Sequence, residues 1–272
     1  MTGQERNNMA NATGMLKAVL WDMDGTLIDS EPYWHEVEME IARENGGHWS
    51  ESIGWECSGK PVPRVAQRMI DEGTKLSIEE VQQQLVAGVG RKEAARMPWI
   101  PGVQDVLRLL ASARIPSVLV TASPRNLAEN LVRQAPEGAF VGYVSGDANL
   151  PKKPNPAPYL TAAKIVGIEV PETVLVENGM LERVAEDSID PAGSATRLAD
   201  FRREMAHCVA IEDSMTGLHS AAASGATTLA QTGFIKTDTS VGPQFASING
   251  YDGLTVEALE RYVEQRSATL EA

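Results

Sequence analysis

Cysteine is nearly absent: Cys57 and Cys208 are the two in 272 residues, and no CxxC pair occurs. A disulfide framework and a thiolate zinc site are therefore unsupported, and both residues read as packing. Long apolar runs are missing too, none approaching the roughly 20 residues of a membrane span. Positive charge is scarce. With 24 Lys and Arg against 37 Asp and Glu the net charge is −13, which argues against the basic face that a nucleic-acid partner needs. The opening MTGQERNNMANATG lacks the apolar core of an export signal, and residues 1–14 read as a flexible tail. What remains, at 43% hydrophobic, is a globular chain expected in the cytoplasm. It is long enough for one large domain or a core with a smaller companion.

Residues 16–32 read LKAVLWDMDGTLIDSEP. Leu16, Ala18, Val19, Leu20 and Trp21 form a short apolar run of the kind that makes a buried strand. In an extended chain residues i and i+2 project to the same side, so Asp22 and Asp24 face one spot at its carboxyl end. Two acids there repel and resist burial, and a divalent cation or a transferable proton would offset the cost.

From 31 to 98 no convincing strand appears. Ser30, Glu31 and Pro32 start a helix with Trp34, Val37 and Ile41 at helical spacing. A second helix follows Pro61, and a third opens at Ser77 with Glu80 completing a capping box. Pro32 on one side and Pro98 and Pro101-Gly102 on the other bound the block, which reads as an inserted helical cap. The core is then 15–30 plus 99–272. Beyond 102, helices alternate with strands at 117–121, 139–144, 207–213 and 227–231, and a terminal amphipathic helix is expected over 255–270. Such alternation predicts an α/β fold, a Rossmann-like doubly wound parallel sheet with ligands outside the carboxyl ends of its strands.

Those strand ends carry Thr121, followed by Ala122 and Ser123, and Glu212 with Asp213; a loop presents Lys152 and Lys153. Taken singly, Thr121 is also a helix cap, Lys153 a surface charge and Glu212-Asp213 a strand end. Together they place a hydroxyl, a cation and two more acids around Asp22 and Asp24. Such a cluster suits Mg²⁺ and phosphoryl transfer. One aspartate would attack phosphorus to form an aspartyl-phosphate, and the other would act as acid and base.

WDMDGT (21–26), LVTAS (119–123), KPNPAPY (153–159) and AIEDSMTG (210–217) resemble the four ordered motifs of the haloacid dehalogenase-like hydrolase superfamily. The helical insert after the first motif is similar to the small cap of its β-phosphoglucomutase-like branch. The resemblance implies Asp22 as nucleophile, Asp24 as general acid/base, and Thr121 and Lys153 on the phosphate. It also implies Mg²⁺ held by Asp22, the Asp24 carbonyl and Asp213, with Glu212 nearby. Gly25, Ala122, Ser123 and the cap cations Lys60 and Arg64 are the expected substrate contacts, with Arg125, Asn126 and Trp55 as further candidates. The substrate implied is a small phosphorylated metabolite of the sugar or polyol class.

A sugar phosphomutase is the rival activity. Its cap histidine would stand where this chain has Trp34, with His35 adjacent but rotated by about 100° along a helix. A non-catalytic regulator of the same fold is the rival from another class. The long connection after residue 167 departs from the family pattern. Its Thr173–Val184 stretch, with Asn178-Gly179 at the centre, predicts a β-hairpin followed by a helix near 196–206. The segment 172–205, expected at the far end of the sheet from the site, is a candidate self-association surface.

Overall fold

The computed structural model describes residues 14–182, 190–234 and 237–271. The apolar run becomes β1 (Ala18–Trp21), buried along its whole length. Four helices follow: α1 (Glu31–Glu44), α2 (Glu51–Cys57), α3 (Val62–Asp71) and α4 (Ile78–Ala95). Among the described residues no strand interrupts them. The capping box at Ser77 forms in full: Ser77 Oγ accepts from Glu80 N–H at 3.2 Å and Glu80 Oε2 from Ser77 N–H at 2.8 Å. α2 was not foreseen; Ser50 caps it through its hydroxyl.

The core continues with α5 (Val103–Ser112), β2 (Ser117–Val120), α6 (Arg125–Gln134), β3 (Gly142–Val144) and α7 (Ala157–Ile165). After α8 (Glu172–Glu177) and α9 (Pro191–Ala206) come β4 (Cys208–Glu212), α10 (Met215–Ala223), β5 (Thr227–Gln231), β6 (Ala246–Ile248) and α11 (Val256–Glu271). The six strands pair in parallel in the order β3-β2-β1-β4-β5-β6. The chain winds outward from β1 through β2 to β3, then restarts on the other side with β4. A crevice opens at that reversal, between the carboxyl ends of β1 and β4.

Strand alternation splits the core. Val19, Trp21, Leu119, Val209, Ile211 and Leu229 face one layer with α5, α6 and α11. Ala18, Leu20, Val118, Val120, Cys208 and Ala210 face the other with α7, α8, α9 and α10. The first layer does not stop at the sheet. Val37, Ile41, Val65, Met69, Leu85 and Val89 of the cap belong to the same apolar cluster, as do Met23, Leu27 and Ile28 of the loop after β1. Cys57 and Cys208 are both buried and unpaired, as packing residues should be.

Three expectations change. The predicted hairpin is helix α8, with Asn178-Gly179 as its stop signal rather than a hairpin turn. Gly179, at φ 69°, donates to Val176 O at 3.1 Å and Met180 N–H donates to Leu175 O at 2.8 Å, the paired bonds of a Schellman motif. Residues 183–189 of that stretch lie outside the described residues. The strand expected over 139–144 shortens to three residues at the sheet edge, and β6 was not anticipated. The insert also approaches the site side. The Asn178 carbonyl accepts from Asn155 Nδ2 at 3.4 Å, two residues beyond Lys153.

Where α4 crosses α6, Glu93 is fully buried and neither carboxyl oxygen has a hydrogen-bond partner among the described residues. Burial, and then the Asp24 charge, push it from 4.5 up to about 8. The folded protein thus keeps a proton that the unfolded chain loses, and stability falls as pH rises through that window. Glu93→Gln should raise the melting temperature by several degrees at pH 8 and leave it unchanged at pH 4, measured by calorimetry.

Candidate active site

Asp22 is the first residue beyond β1, its N–H still bonded to Ile211 O of β4 at 3.0 Å. The chain then turns tightly, with the N–H groups of Thr26, Leu27 and Ile28 all donating to Met23 O. Gly25 sits at φ 82°, and a Cβ there would lie 2.2 Å from Asp213 Oδ2. Glycine is needed for the turn and for the close approach of the neighbouring carboxylate.

Lys153 lies at the centre, with 8% of its side chain exposed. Its Nζ donates to Asp22 Oδ1 at 2.7 Å, Glu212 Oε1 at 2.6 Å and Val120 O at 2.8 Å. Those acceptors match the three protons of an ammonium. Burial works against its charge, but Asp22 and Glu212 outweigh this and hold the pKa above the usual lysine range. Lys152 turns away and donates to the carbonyls of Gly146 and Ala148 at 2.6 and 2.7 Å.

Glu212 is fully buried, and its Oε1 also accepts from the Tyr159 hydroxyl at 2.7 Å. A Cβ on Gly217 would fall 2.0 Å from this carboxylate, so α10 begins against it without a side chain between. Oxygens of Asp22, Glu212 and Asp213 lie within 4.8 Å of one another. Burial, followed by Glu212, pushes Asp22 up to about 7; burial, followed by Asp22, drives Asp213 well above the carboxylate range. Several acids against one ammonium leave an excess of negative charge, which fits a small divalent cation among oxygen ligands.

Asp24 is held from two sides. Ser123 Oγ donates to its Oδ2 at 2.7 Å, and Ser30 Oγ donates to Oδ1. Ser30 stands at the N-cap of α1 with helical backbone angles and makes no capping bond with its side chain; its hydroxyl donates to Asp24. Thr121 is buried beside β3, its N–H on Val144 O and its Oγ1 accepting from Ser123 N–H at 2.9 Å; its own proton has no acceptor among the described residues.

The structure thus gathers Asp22, Asp24, Gly25, Thr121, Ser123, Lys153, Glu212 and Asp213 at one crevice. Ala122 is exposed between Thr121 and Ser123, its carbonyl closed over by Gly146. Lys60 and Arg64 are exposed on the cap, and their side chains make no hydrogen bond or ion pair among the described residues. Arg125 pairs with Glu129 at 2.7 Å along its own helix. Trp55 is 39% exposed and meets the His35 ring edge-on at 4.5 Å. Sequence reasoning missed the service of Ser30 to Asp24 and of Tyr159 to Glu212. Tyr159 sits in the first turn of α7, beyond the loop that carries Lys153, and no sequence pattern marks its hydroxyl for Glu212.

With this geometry in view, the family model described as "haloacid dehalogenase-like hydrolase" matches residues 16–180. The chain belongs to the haloacid dehalogenase-like hydrolases. It is 30% identical over 164 residues to the phosphorylated carbohydrates phosphatase of Thermotoga maritima, covering 59% of this chain and 75% of that one. Hexitol phosphatase B of Escherichia coli K12 is 27% identical over 179 residues, with 60% and 77% covered. Among solved structures, a family IA, variant 3 hydrolase from Entamoeba histolytica superposes with a TM-score of 0.68 over 91% of this chain and 99% of its own, at 19% identity. A β-phosphoglucomutase-like protein from Thermotoga maritima gives 0.62 over 93% and 99%, at 22% identity. These two similarities establish the fold.

Gly25→Ala should abolish turnover, since the methyl would occupy the Asp213 carboxylate and the residue would sit in a left-handed backbone region. A steady-state assay at saturating substrate checks this; activity within tenfold of wild type would contradict the packing argument.

Proposed function

We propose that this haloacid dehalogenase-like phosphoric monoester hydrolase cleaves a small phosphorylated sugar or polyol, through an aspartyl-phosphate on Asp22. The observation that carries the reading is the buried Asp22 carboxylate, oriented by Lys153 at 2.7 Å beside an Asp24 held by two hydroxyls. The relatives named as phosphatases of carbohydrate and hexitol phosphates support the substrate class.

An Asp22 oxygen attacks phosphorus as the bond to the leaving oxygen breaks, and Asp24 delivers a proton to that oxygen. Asp24 then takes a proton from water, the water oxygen attacks phosphorus, and the bond to Asp22 breaks to release phosphate. Thr121 donates its free proton to a phosphoryl oxygen, and the Lys153 charge lies against the same group. Mg²⁺ would be held by Asp22, Asp213 and the Asp24 carbonyl, and when bound it supplies positive charge to the phosphoryl oxygens. Glu212, already committed to Lys153 and Tyr159, keeps the ammonium in place. Lys60 and Arg64 are the proposed contacts for the rest of the substrate, with the helical cap as lid.

His35, the residue nearest the mutase position, is spent inside the cap. Its Nε2 lies 3.3 Å from both Ser58 Oγ and Glu31 Oε1. This favours hydrolysis over isomerisation.

Phosphate release from a panel of sugar and polyol phosphates, with and without Mg²⁺, tests the reading against Asp22→Asn. Metal-dependent release lost in the variant is expected. Glucose 1-phosphate isomerised without net release would instead identify a mutase. The raised Asp22 and Asp213 make a further prediction: protons compete with the cation, so Mg²⁺ affinity should fall severalfold from pH 8 to pH 6. Calorimetric titration at the two pH values measures it, and equal affinities would contradict it.

A further inference from the structure

The loop after β1 satisfies its carbonyls unevenly. Met23 O accepts from the N–H groups of Thr26, Leu27 and Ile28. Leu27 O accepts from Ile100 N–H at 3.0 Å, and Ile28 O accepts from Gly25 N–H at 2.8 Å. Gly25 O accepts from Gln231 Nε2 at 3.1 Å, and Thr26 O accepts from the Tyr251 hydroxyl at 2.8 Å. Between Met23 and Ile28 only the Asp24 carbonyl accepts no hydrogen bond among the described residues. Asp24 is half-buried, so this carbonyl is the one in the turn left open to a partner from outside the chain.

Two of these bonds come from far along the sequence. Gln231 is the last residue of β5 and fully buried; while Nε2 holds Gly25 O, its Oε1 accepts from Gly233 N–H at 2.5 Å. An amide engaged at both ends cannot turn away. Tyr251 is buried against Trp21, with ring centroids 5.9 Å apart. Pinning the carbonyls of Gly25 and Thr26 fixes the two peptide units after Gly25. The Asp24 carbonyl shares its peptide plane with Gly25 N–H, so the bond from that N–H to Ile28 O sets the direction in which the carbonyl points.

We propose that Gln231, assisted by Tyr251, is a positioning residue that holds the Asp24 carbonyl in the orientation in which it serves as a cation ligand. The inference rests on the Mg²⁺ reading above. Neither side chain hydrogen-bonds to the carboxylate cluster among the described residues; both act through the loop. Outer partners of metal ligands of this kind change affinity about tenfold or more when removed.

The test is calorimetric titration of the full chain with Mg²⁺, well below the melting temperature. The variants are Gln231→Leu, Tyr251→Phe and Ser117→Ala. Ser117 accepts a buried bond from Trp21 Nε1 at 3.1 Å, so its loss weakens β1 while both bonds to the loop carbonyls, from Gln231 and from Tyr251, stay in place. Gln231→Leu should weaken Mg²⁺ binding about tenfold and Tyr251→Phe severalfold, whereas Ser117→Ala should lower the melting temperature at unchanged affinity. Tyr251→Phe removes a single oxygen and carries the test if Gln231→Leu does not fold. Wild-type affinity in folded Gln231→Leu and Tyr251→Phe would overturn the inference and leave the cation site standing. A wild type that binds no Mg²⁺ would overturn the cation reading, and this inference with it.

Discussion

One ammonium among buried carboxylates is the constraint on which the site depends. Lys153 is the cation that Asp22 and Glu212 share, and without it two acids would stand together in a place water scarcely reaches. Breaking such a buried pair costs about 3–5 kcal/mol, because the remaining charge is left uncompensated. The arrangement around it follows from that cost. Tyr159 donates to Glu212 from one side, Val120 O takes the third ammonium proton, and Gly217 leaves room for the carboxylate at the start of α10. The site is a charge balance first and a set of catalytic groups second.

Topology brings the charges together. Asp22 and Thr121 directly follow β1 and β2, Glu212 ends β4, and β1 lies between β2 and β4. Parallel pairing aligns the carboxyl ends, so residues separated by about a hundred positions meet without any long loop reaching inward. The cap enters through Ser30, whose hydroxyl goes to Asp24 rather than to its own helix. The proposed acid/base and the first turn of the helical cap are thereby joined by one hydrogen bond.

Much of this was legible because its physical basis is local. Two aspartates spaced i, i+2 at the end of a buried strand announce themselves, and the Ser77–Glu80 pair forms the capping box its spacing predicts. What could not be read depended on partners distant in sequence. Asn178-Gly179 suits either a hairpin turn or a helix stop, and packing of Leu175 and Met180 into the second apolar layer decided for the helix. Ser30 was legible as a helix start, but the destination of its hydroxyl was not. Gln231 and Tyr251 offered no pattern at all, since an isolated amide and an isolated phenol acquire meaning only once the fold sets them against Gly25 and Thr26.

The apolar cluster that runs from the sheet into the cap has a mechanical consequence. Val37, Leu85 and Val89 belong to one apolar cluster with Trp21 and Leu119, so the cap shares a seam with the core as well as packing on itself. Parting that seam would bring apolar surface into contact with water on both sides of the gap, at about 25 cal/mol for each Å² uncovered. Opening the crevice therefore carries a hydration cost that grows with the area exposed, and the closed arrangement is the one that keeps the seam dry.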